Sequence, residues 1–278
     1  MPLAAPTPSS RSNVYNRFTP SAFMKTKHYI LTAVISYLVL LIATIPATSL
    51  NSVLGKETPV NIQGISGTLW EGKAYLINID NKVKLEDTQW SFSLWRLFLG
   101  QLALDIDTNF AGNPVTAEIG SSFLGRIFIN DLKTEVDAAK VSELAQIPLA
   151  QLSGAITLDI EHAQWKQGEL PMATGTINWS NATVTVADTA SLGNISVTLG
   201  ENEQQLLNAD IKNQGGDINL RGNAELVPEA DYSVNMVLIP TASANRNIKN
   251  SLSLFAKKQS NGEYHLKNSG SLTQLGLM

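Results

Sequence analysis

Cysteine is absent from this 278-residue chain, which excludes disulfides, a thiolate metal site and a cysteine nucleophile together. Histidine is scarce. Only His28, His162 and His265 occur, none with a partner at metal-ligand spacing, so zinc chemistry has no ligand set. Acidic residues are missing from one whole end, since no Asp or Glu precedes Glu57. The bases Arg11, Arg17, Lys25 and Lys27 lie in that acid-free end, leaving 16 bases against all 24 acids from Lys56 onward, a net charge of −8. Such a balance disfavours nucleic acid and anionic lipid surfaces as partners.

Familiar catalytic motifs are also lacking. There is no nucleophile elbow with a Ser-His-Asp set, and Gly215-Gly216-Asp217 lacks the glycine spacing of a phosphate loop, so it is expected to be a turn. Asp105 and Asp107 share a strand face as paired glycosidase carboxylates do, but simple alternation makes them a solvated face. No catalytic residue, metal, cofactor or small-molecule substrate is expected. An enzyme would need a pocket in which several acids converge with His162 or His265.

What the chain does possess is a long uncharged run, residues 29–50, YILTAVISYLVLLIATIPATSL. A hydrocarbon core of about 30 Å needs ~20 apolar residues of helix, because backbone polar groups in lipid must bond within the segment. This run predicts one membrane-spanning helix. The four bases before it place residues 1–28 in the cytoplasm and everything after Lys56 on the far side. A cleaved signal peptide has a similar layout, but the apolar run exceeds the ~7–15 residues usual for a signal core and no clean small-x-small site follows. Residues 1–23, with four prolines and no apolar period, are expected to be disordered, either as a cytoplasmic tail or as an extension ahead of Met24.

Beyond the span, short apolar alternations recur every ten residues or so. Leu102, Leu104 and Ile106 alternate with polar residues, as do Ile156, Leu158 and Ile160, then Ile195, Val197 and Leu199, and later Tyr232, Val234, Met236 and Leu238. Period two with turn residues between the runs predicts antiparallel strands throughout 56–278. Two short helices interrupt them: 138–146, capped by Asp137 and stopped by Pro148, with Val141, Leu144 and Ala145 on one face; and 243–257, with Ile248, Leu252 and Phe255 in helical register. A helical turn over 93–99, capped by Ser93 and closed by Gly100, is expected between two strands. The β region could form two subdomains, 56–136 and 150–278, joined by the helix at 138–146.

A basic start, one span, Gly67-Thr68-Leu69-Trp70 with Gly72 and Ala74 after it, Trp90 followed by Leu97 to Gly100, then 175–182 and 216–226 occur in the order seen in type II secretion system protein N, which the chain resembles over residues 24–278. The resemblance implies a bitopic inner-membrane subunit of the apparatus that moves folded periplasmic proteins across the outer membrane of Gram-negative bacteria. It implies an all-β, mainly antiparallel periplasmic domain behind a single N-terminal transmembrane helix, no catalytic residues, and other secretion subunits as partners. A fainter similarity is to envelope proteins with grooved β-sheets implicated in lipid movement. This gives an alternative function, a periplasmic lipid-binding or lipid-transfer groove, favoured if a continuous apolar channel runs along one sheet face.

Five residues are candidates for a partner interface: Trp90, Phe92, Trp95, Leu97 and Phe98. With Leu94 and Leu99 they place apolar groups on both sides of the chain, more than alternation requires. One side can face the core, and the other needs covering by this chain or by a partner.

Overall fold

A computed structural model describes residues 21–50, 52, 58–145, 150–186, 188–227 and 231–271, with side chains from residue 27 onward. Of the expected disorder over 1–23, residues 1–20 lie outside them, as does the helix stop at Pro148, while residues 21–23 are helical. The chain forms two compact units, Met1–Ile45 and Pro46–Met278.

The first unit holds helix α1, Ser21–Ala43. It ends seven residues short of the expected boundary at Leu50, and the cause is Pro46: a proline disfavours helical geometry in the residue before it and removes a donor. The last turn closes locally instead, with the Leu40 carbonyl accepting from both the Thr44 amide and the Thr44 hydroxyl. Tyr29, Leu31, Val34, Leu38 and Ile42 are all exposed, so apolar side chains stand on every side of the helix. At ~1.5 Å per residue the apolar part, 29–43, is about 22 Å long. Among the described residues no helix is long and apolar enough to cross a membrane.

The second unit is one antiparallel sheet. Its strands in chain order are β1 (Val60–Gln63), β2 (Ser66–Gly67), β3 (Glu71–Ile79), β4 (Val83–Phe92), β5 (Gln101–Phe110), β6 (Asn113–Ser122) and β7 (Ile127–Asp137). Helix α2 (Ala138–Leu144) is followed by β8 (Gln151–Trp165), β9 (Met172–Thr185), β10 (Thr189–Glu201), β11 (Leu207–Gln214), β12 (Ile218–Val227) and β13 (Asp231–Pro240). Helix α3 (Arg246–Phe255), β14 (Lys257–Lys258) and β15 (Tyr264–Ser271) complete it. Almost every strand pairs with its sequence neighbours; the departures are β2, which pairs with β3 off the main path, and β14, which lies outside β15. Hairpin connection throughout is the outcome expected of strands separated by short polar turns.

Asp137 caps α2 as its sequence suggests, accepting from the Ala139 amide at 2.9 Å. The helix buries Ala138 and Ser142, however, in place of the expected face of Val141, Leu144 and Ala145, and the Ser142 hydroxyl donates to the Ala150 carbonyl. β7 and β8 on either side of it pair from Ile127–Trp165 to Asp137–Ala155, so α2 joins adjacent strands of one sheet.

Alternation sorts the two faces. Residues directly opposite across a ladder share a face, and one such row runs Thr134, Leu158, Ile177, Val197, Ile211, Gly222, Met236, Leu266. The neighbouring row, on the other face, runs Lys133, Asp159, Thr176, Thr198, Asp210, Asn223, Asn235, Lys267. One face is therefore apolar from β8 to β15 and the other solvated.

Two buried clusters lie at the two ends of the sheet. Ala47, Ala74 and Trp90 form one, with Leu50, Ile62 and Ile106 packed against it. The chain reaches it through Pro46, which bridges to Thr68, and a 3₁₀ turn at Ala47–Ser49. Ile218, Ala244, Ile248, Leu252, Ala256 and Tyr264 form the other, where α3 covers the apolar face. The turn at Gly215-Gly216-Asp217 anchors this end: both glycines have positive φ, and Asp217 accepts from the Ser191 amide and the Ser243 hydroxyl just ahead of α3.

Candidate functional site

β4 delivers its last residues to a 3₁₀ turn, Leu94–Leu99, which reverses into β5. Ser93 precedes it without a side-chain cap, contrary to expectation, and its amide instead donates to the Ala103 carbonyl at 2.9 Å. Gly100 closes the turn at φ 72°, a left-handed conformation that glycine adopts without a Cβ penalty. Three residues per turn bring side chains at i and i+3 into line. Trp95 and Phe98 therefore stand on one side, 58% and 92% exposed.

The structure divides the five candidate interface residues. Trp90 is 8% exposed and belongs to the core, its ring lying over Gly72, where any Cβ would collide with it, and its Nε1 donating to the Leu69 carbonyl at 3.2 Å. Phe92 is half-buried and meets Trp70 edge to face at 4.9 Å. Leu97 is half-buried too. Only Trp95 and Phe98 project outward, joined by Leu94 and Leu99. The interface candidates thus shrink to the turn itself, since a buried Trp90 is unavailable to a partner.

The turn is fastened from beneath by Arg96. Its Nε donates to Glu118 Oε2 at 3.1 Å, its Nη2 to Oε1 of the same carboxylate, and its Nη1 to Gln101 Oε1 at 3.2 Å. The guanidinium also stacks 4.9 Å from the Trp95 ring centroid. Glu118 accepts in addition from Asn130 Nδ2 at 2.6 Å, and Asn130 Oδ1 accepts from His162 Nδ1. A bidentate pair of this kind fixes geometry better than a single contact, and both side chains are mostly shielded from water. Trp95 is thereby held while remaining open to solvent.

Phe123 and Leu124, in the β6–β7 turn, extend the apolar surface and were not anticipated. Both are exposed, and the Phe123 amide donates to the Gly100 carbonyl at 3.0 Å, which seats this turn beside the 3₁₀ turn. Two apolar residues ahead of Gly125 in a turn were the available signal.

A cavity of about 350 Å³ opens on the polar face, lined by Glu71, Lys73, Gln89, Trp90, Asp105 and Asp107 among others. Asp105 has its pKa raised, first by desolvation and then by repulsion from Glu118 and Asp107, with Arg96 opposing. Neither His162 nor His265 lines it: His162 is engaged by Asn130, and His265 lies 3.3 Å from Glu263. Among the described residues no cluster of three or more His, Asp or Glu could hold a metal ion.

A family model for type II secretion system protein N matches residues 58–267. The chain belongs to that family. Type II secretion system protein N of Vibrio cholerae serotype O1 is 23% identical over 239 residues, which cover 82% of this chain and 91% of the relative. No solved structure matches. Membership ties the chain to type II secretion and to protein transport, in a family known as a machinery component and not as enzymes. The matched residues include the whole Leu94–Leu99 turn, Phe123, Leu124 and α3.

Proposed function

We propose that this chain is a non-enzymatic, inner-membrane-anchored component of the type II secretion machinery, which supports export of folded periplasmic proteins by touching other subunits. Its organisation on this account is a cytoplasmic tail, 1–28, a membrane anchor within 29–50, and a periplasmic β domain, 56–278. The observation that carries the contact role is the outward display of Trp95 and Phe98 on a turn secured by the Arg96–Glu118 pair. Exposed aromatic and aliphatic groups clustered on a fixed turn are the raw material of an interface, and Trp and Arg are the residues that most often anchor one.

Support for the anchor comes from the exposed apolar surface around α1 and from the charge pattern. Four bases and no acids precede the apolar run, which orients the N-terminus to the cytoplasm. An apolar helix of about 22 Å is accommodated by local thinning of the bilayer and by flanking cations such as Lys27 reaching to the interface. Deleting the gene and assaying release of a type II substrate into the medium tests the role. Accumulation of the substrate in the periplasm is expected, and unchanged release would count against it.

A further inference from the structure

The apolar face of the sheet is closed at its C-terminal end by α3, and the closure is incomplete. A cavity of about 420 Å³ remains between them, walled by Val184, Leu192, Leu220 and Met236 from the strands and by Leu252 and Phe255 from the helix. This volume lies within the range of small-molecule sites, roughly 300–1,000 Å³. Among the described residues Asp188 is the one charged residue in the lining, and its Oδ2 accepts from Asn247 Nδ2 of α3 at 2.6 Å. Phe255 lines the cavity yet is 67% exposed, so it stands at the mouth.

We propose that this cavity receives an acyl chain of an anionic lipid. The site is independent of the secretion contacts made by the Leu94–Leu99 turn. Its walls decide what can enter. The strand main chains behind them are hydrogen-bonded in the ladders β9–β10, β12–β13 and β13–β15, so a peptide lying there would leave its own N–H and C=O groups buried without partners, at several kcal/mol each. An alkyl chain has no such groups, and an apolar cavity without polar partners does not hold water well either.

Charge selects the headgroup. Between Asp231 and Glu263 the sequence contains no acid, while Arg246, Lys249, Lys257 and Lys258 are all exposed on or just after α3. Lys257 and Lys258 follow Phe255 within three residues, so a cation is within chain reach of the mouth; the Lys258 ammonium lies 5.9 Å from the Tyr264 ring centroid, and Asp188, the acid in the lining, is engaged by Asn247. Although the chain after Lys56 is acidic overall, the field of a local cluster acts within a Debye length of about 8 Å at physiological salt, and it is this cluster that meets the headgroup.

The test uses the full chain reconstituted in phosphatidylcholine vesicles doped with a photoreactive lipid, either phosphatidylglycerol carrying a diazirine in one acyl chain or free diazirine-palmitate. Cross-linked peptides are then mapped by mass spectrometry. Labelling of α1 reports incorporation into the bilayer. Labelling within 184–192 or 246–258 is the expected result; labelling by phosphatidylglycerol identifies a bilayer lipid as the source, and labelling by palmitate alone identifies a free fatty acid. Met236→Trp, which fills the cavity, should abolish this labelling while that of α1 persists. Lys257→Glu with Lys258→Glu, a surface change that leaves the cavity intact, should weaken labelling by phosphatidylglycerol about tenfold, as expected of cations near an anionic headgroup. Labelling confined to α1, or cavity labelling indifferent to all these variants, would overturn the proposal.

Discussion

Arg96 and Glu118 meet as a two-point pair, Nε to Oε2 at 3.1 Å and Nη2 to Oε1, which ties a turn between β4 and β5 to the middle of β6. The pair sits on the polar face, in a row where Asp105 stands opposite Glu118 and Glu118 opposite Asn130. Its consequence is positional: the guanidinium that grips Glu118 also underlies the Trp95 ring.

Arg96→Ala should therefore act on both stability and display. Hydrogen bonds to charged groups contribute about 1.5–3 kcal/mol each way of counting, and Glu118 would keep only Asn130 as a neutral donor. A lower melting temperature is expected, together with increased mobility of Trp95 by fluorescence anisotropy. Lys at this position should restore little, because it cannot reproduce the fork. An unchanged melting temperature and anisotropy in Arg96→Ala would show that the pair does not hold the turn.

Asp105 gives the domain a pH dependence of definite sign. Its pKa is raised in the folded chain, so the folded state keeps this proton to higher pH than the unfolded state does. Stability from this group is then lost as pH rises through the raised value, and the penalty is absent below the unfolded pKa. Because the Asp105 side chain is exposed, water screens much of this penalty, so Asp105→Asn should raise the melting temperature only slightly at pH 7 and leave it unchanged near pH 3. Destabilisation at pH 7 would mean that the ionised carboxylate is a net asset and that burial does not govern it.

Two tryptophans five residues apart should respond in opposite ways. Trp90 is enclosed by Ala47, Ala74 and Gly72, so Trp90→Ala should cost about 3–5 kcal/mol of stability. Trp95→Ala should barely move the melting temperature and should weaken co-purification of secretion subunits by something like 2 kcal/mol, the loss at an interface hot spot. If calorimetry shows Trp95→Ala unfolding as early as Trp90→Ala, the turn belongs to the core.

The strands were legible because period two survives in this chain almost undisturbed: Leu102, Leu104 and Ile106 predict β5, and the cap at Asp137 marks a real helix start. What was illegible depended on partners distant in sequence. Trp90 and Trp95 look alike in one crowded run, and they are separated by Gly72 across the β3–β4 ladder and by the onset of the 3₁₀ turn. Phe123 joins the site through its backbone bond to the Gly100 carbonyl, a contact between residues 23 apart in sequence. The cavity beneath α3 needs the registers of β9 through β15 before it exists at all. The early end of α1 was different, since Pro46 stood in the sequence and its effect on the preceding residue should have shortened the expected helix.

The proposed membrane anchor rests on the exposed apolar surface of α1. Alkaline carbonate should leave the native protein in the membrane pellet, and alkaline phosphatase fused after Met278 should be active. Release into the supernatant with a mature N-terminus near Ser49 would identify the segment as a cleaved signal.

The contact role is tested most directly in the cell at Phe98, the most exposed residue of the turn. A photo-cross-linking amino acid placed there, with Lys133 on the polar face of the sheet as the control position, should capture another type II secretion subunit from Phe98 and not from Lys133. Cross-links to no secretion subunit from Phe98, in cells where the protein is at its normal level and secretion proceeds, would contradict the account.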